Sequence, residues 1–221
     1  MTRIAVDQVE AEQVVWICRH GNRIDFVDPS WRARNGHDPH LSKDGVRQAR
    51  ETGERLQGEG IQLVFASPFL RTVETAHHIA EVLDLPILIE QGASEWLNPE
   101  WFAQAPPLVS PGEMAKRFPR VIPDYGSVVI PRYPETAEQA FARAGRAARL
   151  LVEKHQASLL FVGHGHSVTG MSWGLLGSRP DIHTGLCALI KISRCSDVWR
   201  LELNGDTSHL SGGERERRRL H

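Results

Sequence analysis

Histidine and arginine side chains follow apolar segments of the sequence at points where buried strands would end. Arg19-His20-Gly21 comes directly after the apolar residues 14–18. A neutral imidazole can attack phosphorus, and an adjacent guanidinium balances the charge of a phosphate group. Reactive groups of open α/β sheets gather beyond the carboxyl ends of the strands. These residues therefore make His20 a candidate phosphoryl acceptor.

Three further strand ends carry groups suited to the same chemistry. Arg71 follows the second predicted strand, Glu95 the third and His164 the fourth. Arg19 and Arg71 offer bidentate donors for a tetrahedral oxyanion, and histidine accepts or binds a phosphoryl group. A carboxylic acid such as Glu95 protonates a leaving oxygen. The coincidence of four suitable groups at four strand ends indicates phosphoryl transfer.

Each of these residues also has a simpler interpretation. An arginine beside a loop, such as Arg71, is usually solvated or salt-bridged, and a lone Glu95 would be a surface carboxylate. His164 and His166 resemble metal ligands, but no third ligand stands at a typical spacing, so no metal site is predicted. The histidines of the second predicted helix are interpreted as packing or exposed residues, namely His77 and His78.

The elements that must position these groups alternate along the chain. Helical periodicity begins after Ser42, after the second strand and after Thr136, where Gln139 completes a capping box. This alternation predicts an α/β fold with a mostly parallel sheet and helices on both faces. The predicted strands comprise residues 14–18, 63–66, 87–89, 158–162, 186–192 and 198–203.

The alternation of strand and helix patterns along the chain indicates the domain organisation. Residues 14–203 are predicted to form a single domain, with residues 1–13 as an N-terminal extension. Residues 96–134, rich in proline and aromatic side chains, are predicted to be an irregular lid. Residues 204–221 are charged and poor in apolar side chains, which predicts a disordered tail.

The charge balance and the cysteines of the sequence indicate which partners the protein binds and in which compartment it is found. The 26 basic and 27 acidic residues give a net charge of −1, so neither nucleic acid nor a membrane surface is expected to bind. The three cysteines lack paired short spacing, and no segment approaches the roughly 20 apolar residues of a membrane span. We therefore expect a cytoplasmic protein. The sequence leaves open whether the chain forms a homodimer.

Four motifs together resemble the histidine phosphatase superfamily, whose members are also called phosphoglycerate mutase-like proteins. The likeness covers residues 14–203, and the ordered set is far more specific than a lone Arg-His-Gly. The motifs are Arg19-His20-Gly21, Leu41-Ser42-Lys43-Asp44-Gly45, Ser67-Pro68-Phe69-Leu70-Arg71-Thr72-Val73-Glu74-Thr75-Ala76 and Phe161-Val162-Gly163-His164-Gly165.

The resemblance implies a role for each site residue. His20 would be phosphorylated, Glu95 would donate the proton, and no cofactor would be needed. The segment from Arg19 to Asp25 is similar to the branch of the suppressor-of-T-cell-receptor-signalling and ecdysteroid-phosphate phosphatases, which adds Arg23 to the phosphate pocket. Glycolytic mutases usually carry serine or threonine there. The implied phosphate-binding residues are Arg19, Arg23, Arg71 and His164.

The function expected from these residues is hydrolysis of phosphomonoesters through a phosphohistidine. The aromatic and lysine-poor lid favours aryl or apolar phosphomonoesters, including phosphotyrosine, although its aromatic residues could instead pack the lid onto the body. Two alternatives stay open. One is a mutase-type phosphotransferase acting on sugar or glycerate phosphates, and the other is a non-catalytic module that binds phosphate or a protein partner.

Overall fold

The protein folds around a six-stranded sheet in the order β3-β2-β4-β1-β5-β6. The computed structural model describes residues 13–28, 30–31 and 38–212. The first four strands run parallel, β5 runs antiparallel to β1, and β6 antiparallel to β5. The strands are β1 (Gln13–Arg19), β2 (Ile61–Ala66), β3 (Ile87–Ile89), β4 (Ser158–Gly163), β5 (Leu189–Cys195) and β6 (Val198–Asp206).

Helices connect the parallel strands, and their starts agree with the sequence signals. Ser42 Oγ accepts a hydrogen bond from the Gly45 N–H, and Thr136 and Gln139 form the predicted capping box. A 3₁₀ turn at Gln91–Ala93 follows β3. The helices are α1 (Ile24–Val27), α2 (Lys43–Leu56), α3 (Leu70–Leu83), α4 (Pro111–Arg117), α5 (Ala137–Lys154) and α6 (Gly165–Leu176).

The sheet is covered on both faces because its central strands are apolar on both faces. In β1, Trp16 and Cys18 pack into one core with α2 and α3, while Val15 and Ile17 pack into another with α5 and α6. Side chains of a strand alternate between faces, so one apolar run supplies both cores. The predicted α/β fold with a mostly parallel sheet is confirmed. Among the described residues, no helix is long and apolar enough to span a membrane.

The predicted lid is less irregular than the sequence suggested. It contains α4, and its residues Met114, Phe118 and Val121 belong to the core that α2 and α3 share with the sheet. Val121 forms a parallel bridge with Ile87 of β3. The expectation that residues 96–134 form an irregular lid is therefore wrong for this part of the segment, which contains a regular helix and contributes side chains to the core.

Both predicted ends of the domain need correction. The sequence predicts Gln13 in the N-terminal extension, but this residue begins β1 and its side chain donates to Val152 O at 3.2 Å. The sequence predicts a disordered tail from residue 204, yet β6 continues to Asp206 and Leu210 is 4% exposed. Leu210 supplies an apolar anchor that the average composition of the segment concealed. Residues 1–12 and 213–221 lie outside the described residues.

Candidate active site

His20 lies immediately after β1, where its backbone N–H donates to Gly163 O at the end of β4 (3.0 Å). The ring is buried, and its Nδ1 atom lies 2.8 Å from Gly21 O. A carbonyl only accepts, so Nδ1 carries the proton and Nε2 presents its lone pair. Among the described residues, Nε2 has no hydrogen-bond partner. The geometry therefore leaves one unprotonated nitrogen available for attack.

Burial and nearby cations keep the His20 ring neutral. Burial is the largest influence that lowers the pKa of His20 well below its ordinary value, and the charges of Arg71 and Arg19 lower this pKa further. The hydrogen bond to the Gly21 carbonyl acts in the opposite direction but is weaker. A neutral imidazole is the form that can act as a nucleophile.

Arg71 occupies the first turn of α3 and connects three polar groups. Its Nη2 atom lies 3.3 Å from Glu95 Oε2 and 3.1 Å from His164 Nδ1, and its Nη1 atom lies 3.5 Å from Asp38 Oδ1. Burial lowers the pKa of Arg71 to about 10, opposed in part by the charge of Glu95. Arg71 therefore remains cationic at neutral pH while 2% exposed.

His164 precedes the first residue of α6 and faces the same cluster. Because arginine only donates, His164 Nδ1 accepts from Arg71, and Nε2 carries the proton that it donates to Ser67 Oγ at 2.8 Å. Burial, followed by the charge of Arg71, lowers the pKa of His164 well below its ordinary value. The rings of His20 and His164 meet edge to face at a centroid distance of 5.4 Å. The two imidazoles thus share one buried site.

Glu95 approaches this cluster from the loop that follows the 3₁₀ turn. Its Oε2 atom lies 3.4 Å from His164 Nδ1, in addition to the Arg71 contact, and its Oε1 atom accepts from the Trp96 backbone N–H at 3.1 Å. The carboxyl side chain is 14% exposed. Glu95 is therefore positioned between the histidine-arginine cluster and the aromatic side chains of the lid.

The two remaining arginines lie at the edge of the same site. Arg19 Nη1 donates to Thr184 O at 2.8 Å, and burial lowers the pKa of Arg19. Arg23 binds Asp25 through Nε and Nη2, at 2.9 and 2.7 Å. The charge of Arg23 contributes to lowering the pKa values of both His20 and His164, which places it within electrostatic reach of both rings. The structure thus brings together all six residues selected from the sequence.

Asp38 and Ser67 also belong to the site, although no sequence pattern assigns a role to either. Both carboxylate oxygens of Asp38 accept from the Leu70 N–H, at 3.0 and 2.9 Å, so Asp38 connects the N-terminus of α3 to Arg71. Ser67 orients the His164 ring. The position of Ser67 at the end of a predicted strand was a usable signal, whereas no local pattern identified Asp38.

One group of described side chains has the composition of a metal site. Potential ligand atoms of His77, His78 and Glu81 on α3 lie within 4.8 Å of one another. The Glu81 carboxylate already pairs with both rings, at 3.6 Å from His77 Nε2 and 3.1 Å from His78 Nδ1. Contacts between side chains three and four residues apart on one helix account for this arrangement without a metal. None of the six candidate site residues belongs to the group.

The chain is similar in sequence to a known protein family and to several known proteins. Over residues 15–207 the chain matches the histidine phosphatase superfamily (branch 1). It is 28% identical to the transcription factor tau 55 kDa subunit of Saccharomyces cerevisiae, an alignment that covers 90% of this chain and 57% of the yeast protein. It is 31% identical to the ecdysteroid-phosphate phosphatase of Bombyx mori, an alignment that covers 76% of this chain and 31% of the silkworm protein. The chain thus spans little more than half of the yeast relative, and less of the silkworm one.

A solved structure shares the fold. The crystal structure of the Bombyx mori ecdysone phosphate phosphatase in complex with tungstate superposes with a TM-score of 0.72 and 24% identity. The superposition covers 86% of this chain and 91% of that chain. The match to the family over residues 15–207, on a fold that carries its motifs at the strand ends, shows that the chain belongs to the histidine phosphatase superfamily.

Proposed function

We propose that the protein is a phosphomonoester hydrolase that works through a phosphohistidine at His20. The observation that carries this proposal is the buried Nε2 atom of His20, which has no hydrogen-bond partner among the described residues and lies beside the guanidinium of Arg71 and the ring of His164. A nucleophile in a cationic, water-excluded site suits attack on a phosphate ester, because the positive charge stabilises the anionic transition state.

In the first step, His20 Nε2 attacks phosphorus as the bond between phosphorus and the leaving oxygen breaks. The Glu95 carboxyl group gives its proton to that oxygen, which departs as a neutral alcohol or phenol. Arg71, Arg19 and Arg23 stabilise the charge that spreads over the three remaining phosphate oxygens. His164 is the fourth proposed phosphate-binding residue, and its Nδ1 atom accepts a hydrogen bond from Arg71 Nη2, which orients that guanidinium.

In the second step, the Glu95 carboxylate accepts a proton from a water molecule that attacks the phosphohistidine. The bond between phosphorus and His20 Nε2 breaks, inorganic phosphate leaves, and Glu95 regains its proton. The same carboxyl therefore serves as acid and then as base. Neither step requires a metal, because arginine side chains supply the positive charge.

We propose aryl or apolar phosphomonoesters, including phosphotyrosine, as the substrate class. The rings of Trp96 and Trp101 lie 5.0 Å apart, and both contact the ring of His166, at 4.7 and 6.0 Å. Trp96 directly follows Glu95, and Trp101 is 47% exposed, so an aromatic surface adjoins the proposed acid. Such a surface stacks well on a planar leaving group.

We propose the cytoplasm as the place where this activity occurs. All three cysteines, Cys18, Cys187 and Cys195, are free thiols. Free thiols are typical of reducing compartments, which supports the cytoplasm as the site of action.

Hydrolysis of a substrate panel tests the proposed function. We expect the protein to hydrolyse p-nitrophenyl phosphate and phosphotyrosine peptides without a bisphosphate primer, and to do so faster than it hydrolyses glycerol phosphate or sugar phosphates. Interconversion of phosphoglycerates that depends on a primer would instead identify a mutase. A protein that binds phosphate but turns over none of these substrates would be a non-catalytic module. Either result contradicts the proposal.

A further inference from the structure

A buried ion pair lies behind the loop that carries Glu95. Arg143 of α5 and Glu135, which precedes α5, have side chains that are 7% and 6% exposed, with Arg143 Nη2 2.6 Å from Glu135 Oε1. Burying two charges carries a large desolvation cost, so such a pair is weak evidence for stability. The role of this ion pair is therefore inferred from the backbone groups that Arg143 and Glu135 contact.

Arg143 uses all five of its N–H donors, and three of them hold backbone carbonyls beside Glu95. Nη1 donates to Gly92 O at 2.7 Å and to Ser94 O at 3.2 Å, and Nη2 donates to Glu95 O at 3.1 Å. The remaining two donate to the Glu135 carboxylate. The planar fork of arginine permits this pattern, and a lysine cannot reproduce it.

Glu135 holds the other side of the same loop. Its Oε1 atom accepts from the Leu97 N–H at 3.0 Å, and its own N–H donates to Leu97 O at 3.3 Å. Its carbonyl accepts from Trp96 Nε1 at 2.8 Å. Residues 92–97 are thus bonded from both sides, with Glu95 at their centre.

Close packing against α5 supports this arrangement. A Cβ atom added to Gly92 would lie 2.5 Å from the Cβ atom of Ala147, a distance that real contacts do not show. The 3₁₀ turn therefore rests directly on the helix that carries Arg143. This contact leaves the loop little freedom to shift away from α5.

We infer that Arg143 and Glu135 are positioning residues for Glu95, an inference that rests on the proposed acid role of that carboxyl. Neither side chain needs to touch substrate. A general acid must lie within about 2.6–3.2 Å of the oxygen that it protonates, and a misplacement of about 1 Å can cost roughly 10²-fold in rate. The ion pair fixes the backbone from which Glu95 reaches the leaving oxygen.

The experiment compares leaving groups in the Arg143→Lys variant. The value of kcat/KM reports the formation of the phosphohistidine, in which an activated leaving group such as 2,4-dinitrophenolate departs without help from an acid. We expect Arg143→Lys to lower kcat/KM for an alkyl phosphate roughly 10²-fold, and for 2,4-dinitrophenyl phosphate by less than about 3-fold. The matched control is Arg149→Lys, on the same helix, whose side chain contacts Gly174 O. This variant should change neither value.

A second variant and a measurement of folding also test the positioning role. Glu135→Gln preserves side-chain volume and should show the same selective loss at a smaller size, and thermal melting reports whether each variant folds. Equal losses on both substrates, or no loss in either folded variant, would overturn the positioning role while the proposed function stands. If the wild type hydrolyses neither substrate and forms no phosphohistidine, the proposed function itself fails.

Discussion

Arg71 Nη2 lies 3.3 Å from Glu95 Oε2 and also 3.1 Å from His164 Nδ1. One guanidinium nitrogen therefore connects the proposed acid to a proposed phosphate-binding residue. The charge of Glu95 in turn opposes the fall that burial causes in the pKa of Arg71. We therefore expect a change at Arg71 to affect the proposed phosphate binding and the proposed acid together.

We expect Arg71→Lys to lower kcat on p-nitrophenyl phosphate by roughly 10²- to 10³-fold, because a lysine cannot contact Glu95, His164 and a phosphate group from one planar fork. Steady-state kinetics measure the effect. Arg117→Lys is the control, since its side chain is 58% exposed and pairs with Glu74, which is none of the six candidate site residues. Near-normal turnover in Arg71→Lys would show that this arginine does not stabilise the transition state.

His20→Asn should abolish the covalent route, since the amide keeps polarity but lacks a nucleophilic nitrogen. We expect turnover to fall by at least about 10³-fold. Rapid acid-free quenching after mixing with labelled substrate should trap phosphate on the wild type and none on the variant. His78→Asn, on α3, where the ring contacts Glu81 and none of the six candidate site residues, should retain the label. Equal labelling of His20→Asn would place the nucleophile elsewhere.

The strand-end residues could be predicted from the sequence because position along the chain determined their position in space. His20 and His164 each follow an apolar run, and β1 and β4 proved to be adjacent and parallel, with Arg19 opposite Gly163. The carboxyl ends of parallel strands lie at one edge of the sheet, so a linear pattern was sufficient. The same reasoning extended to Arg71 through β2, which pairs with β4.

The positions of other residues in the fold and the site depend on tertiary contacts that no local sequence pattern predicts. Asp38 reaches Leu70, and Arg143 reaches Gly92, across long separations in the chain. Neither residue ends a strand, and an arginine in a helical pattern is usually solvated. Phe118 lies in a proline-rich segment, and its burial comes from a tertiary contact with the ring of His77 on α3, at a centroid distance of 5.3 Å. Tertiary packing decided these positions, and single-sequence patterns contain little of it.

Acid should destabilise the protein through its two buried imidazoles. Burial lowers the pKa values of His20 and His164 well below 6.5 in the folded protein. The unfolded chain binds more protons below about pH 6.5, so the free energy of unfolding falls as pH decreases through that value. We expect the Tm of the wild type to drop between about pH 7.5 and 5.5, and His20→Asn to show a shallower slope. Parallel slopes would mean that His20 is equally protonated in both states.

Trp101→Ala separates stacking on the substrate from packing of the lid. Trp101 is 47% exposed, so removal of its indole ring costs little buried apolar contact. An aromatic contact contributes about 0.5–1.5 kcal/mol beyond burial, and kcat/KM for aryl phosphates should fall roughly three- to tenfold. Hydrolysis of alkyl phosphates should change by less than about twofold, because an alkyl group does not stack.

The control is Trp199→Ala on β6, whose indole lies 5.3 Å from the guanidinium carbon of Arg194, away from the proposed site. We expect Trp199→Ala to leave kcat/KM unchanged for both aryl and alkyl phosphates. A selective loss on aryl phosphates in Trp101→Ala alone would support stacking of the leaving group. Loss of the same factor on aryl and alkyl substrates would instead assign Trp101 to holding the lid. The aromatic surface beside Glu95 would then say nothing about which phosphate ester the protein prefers.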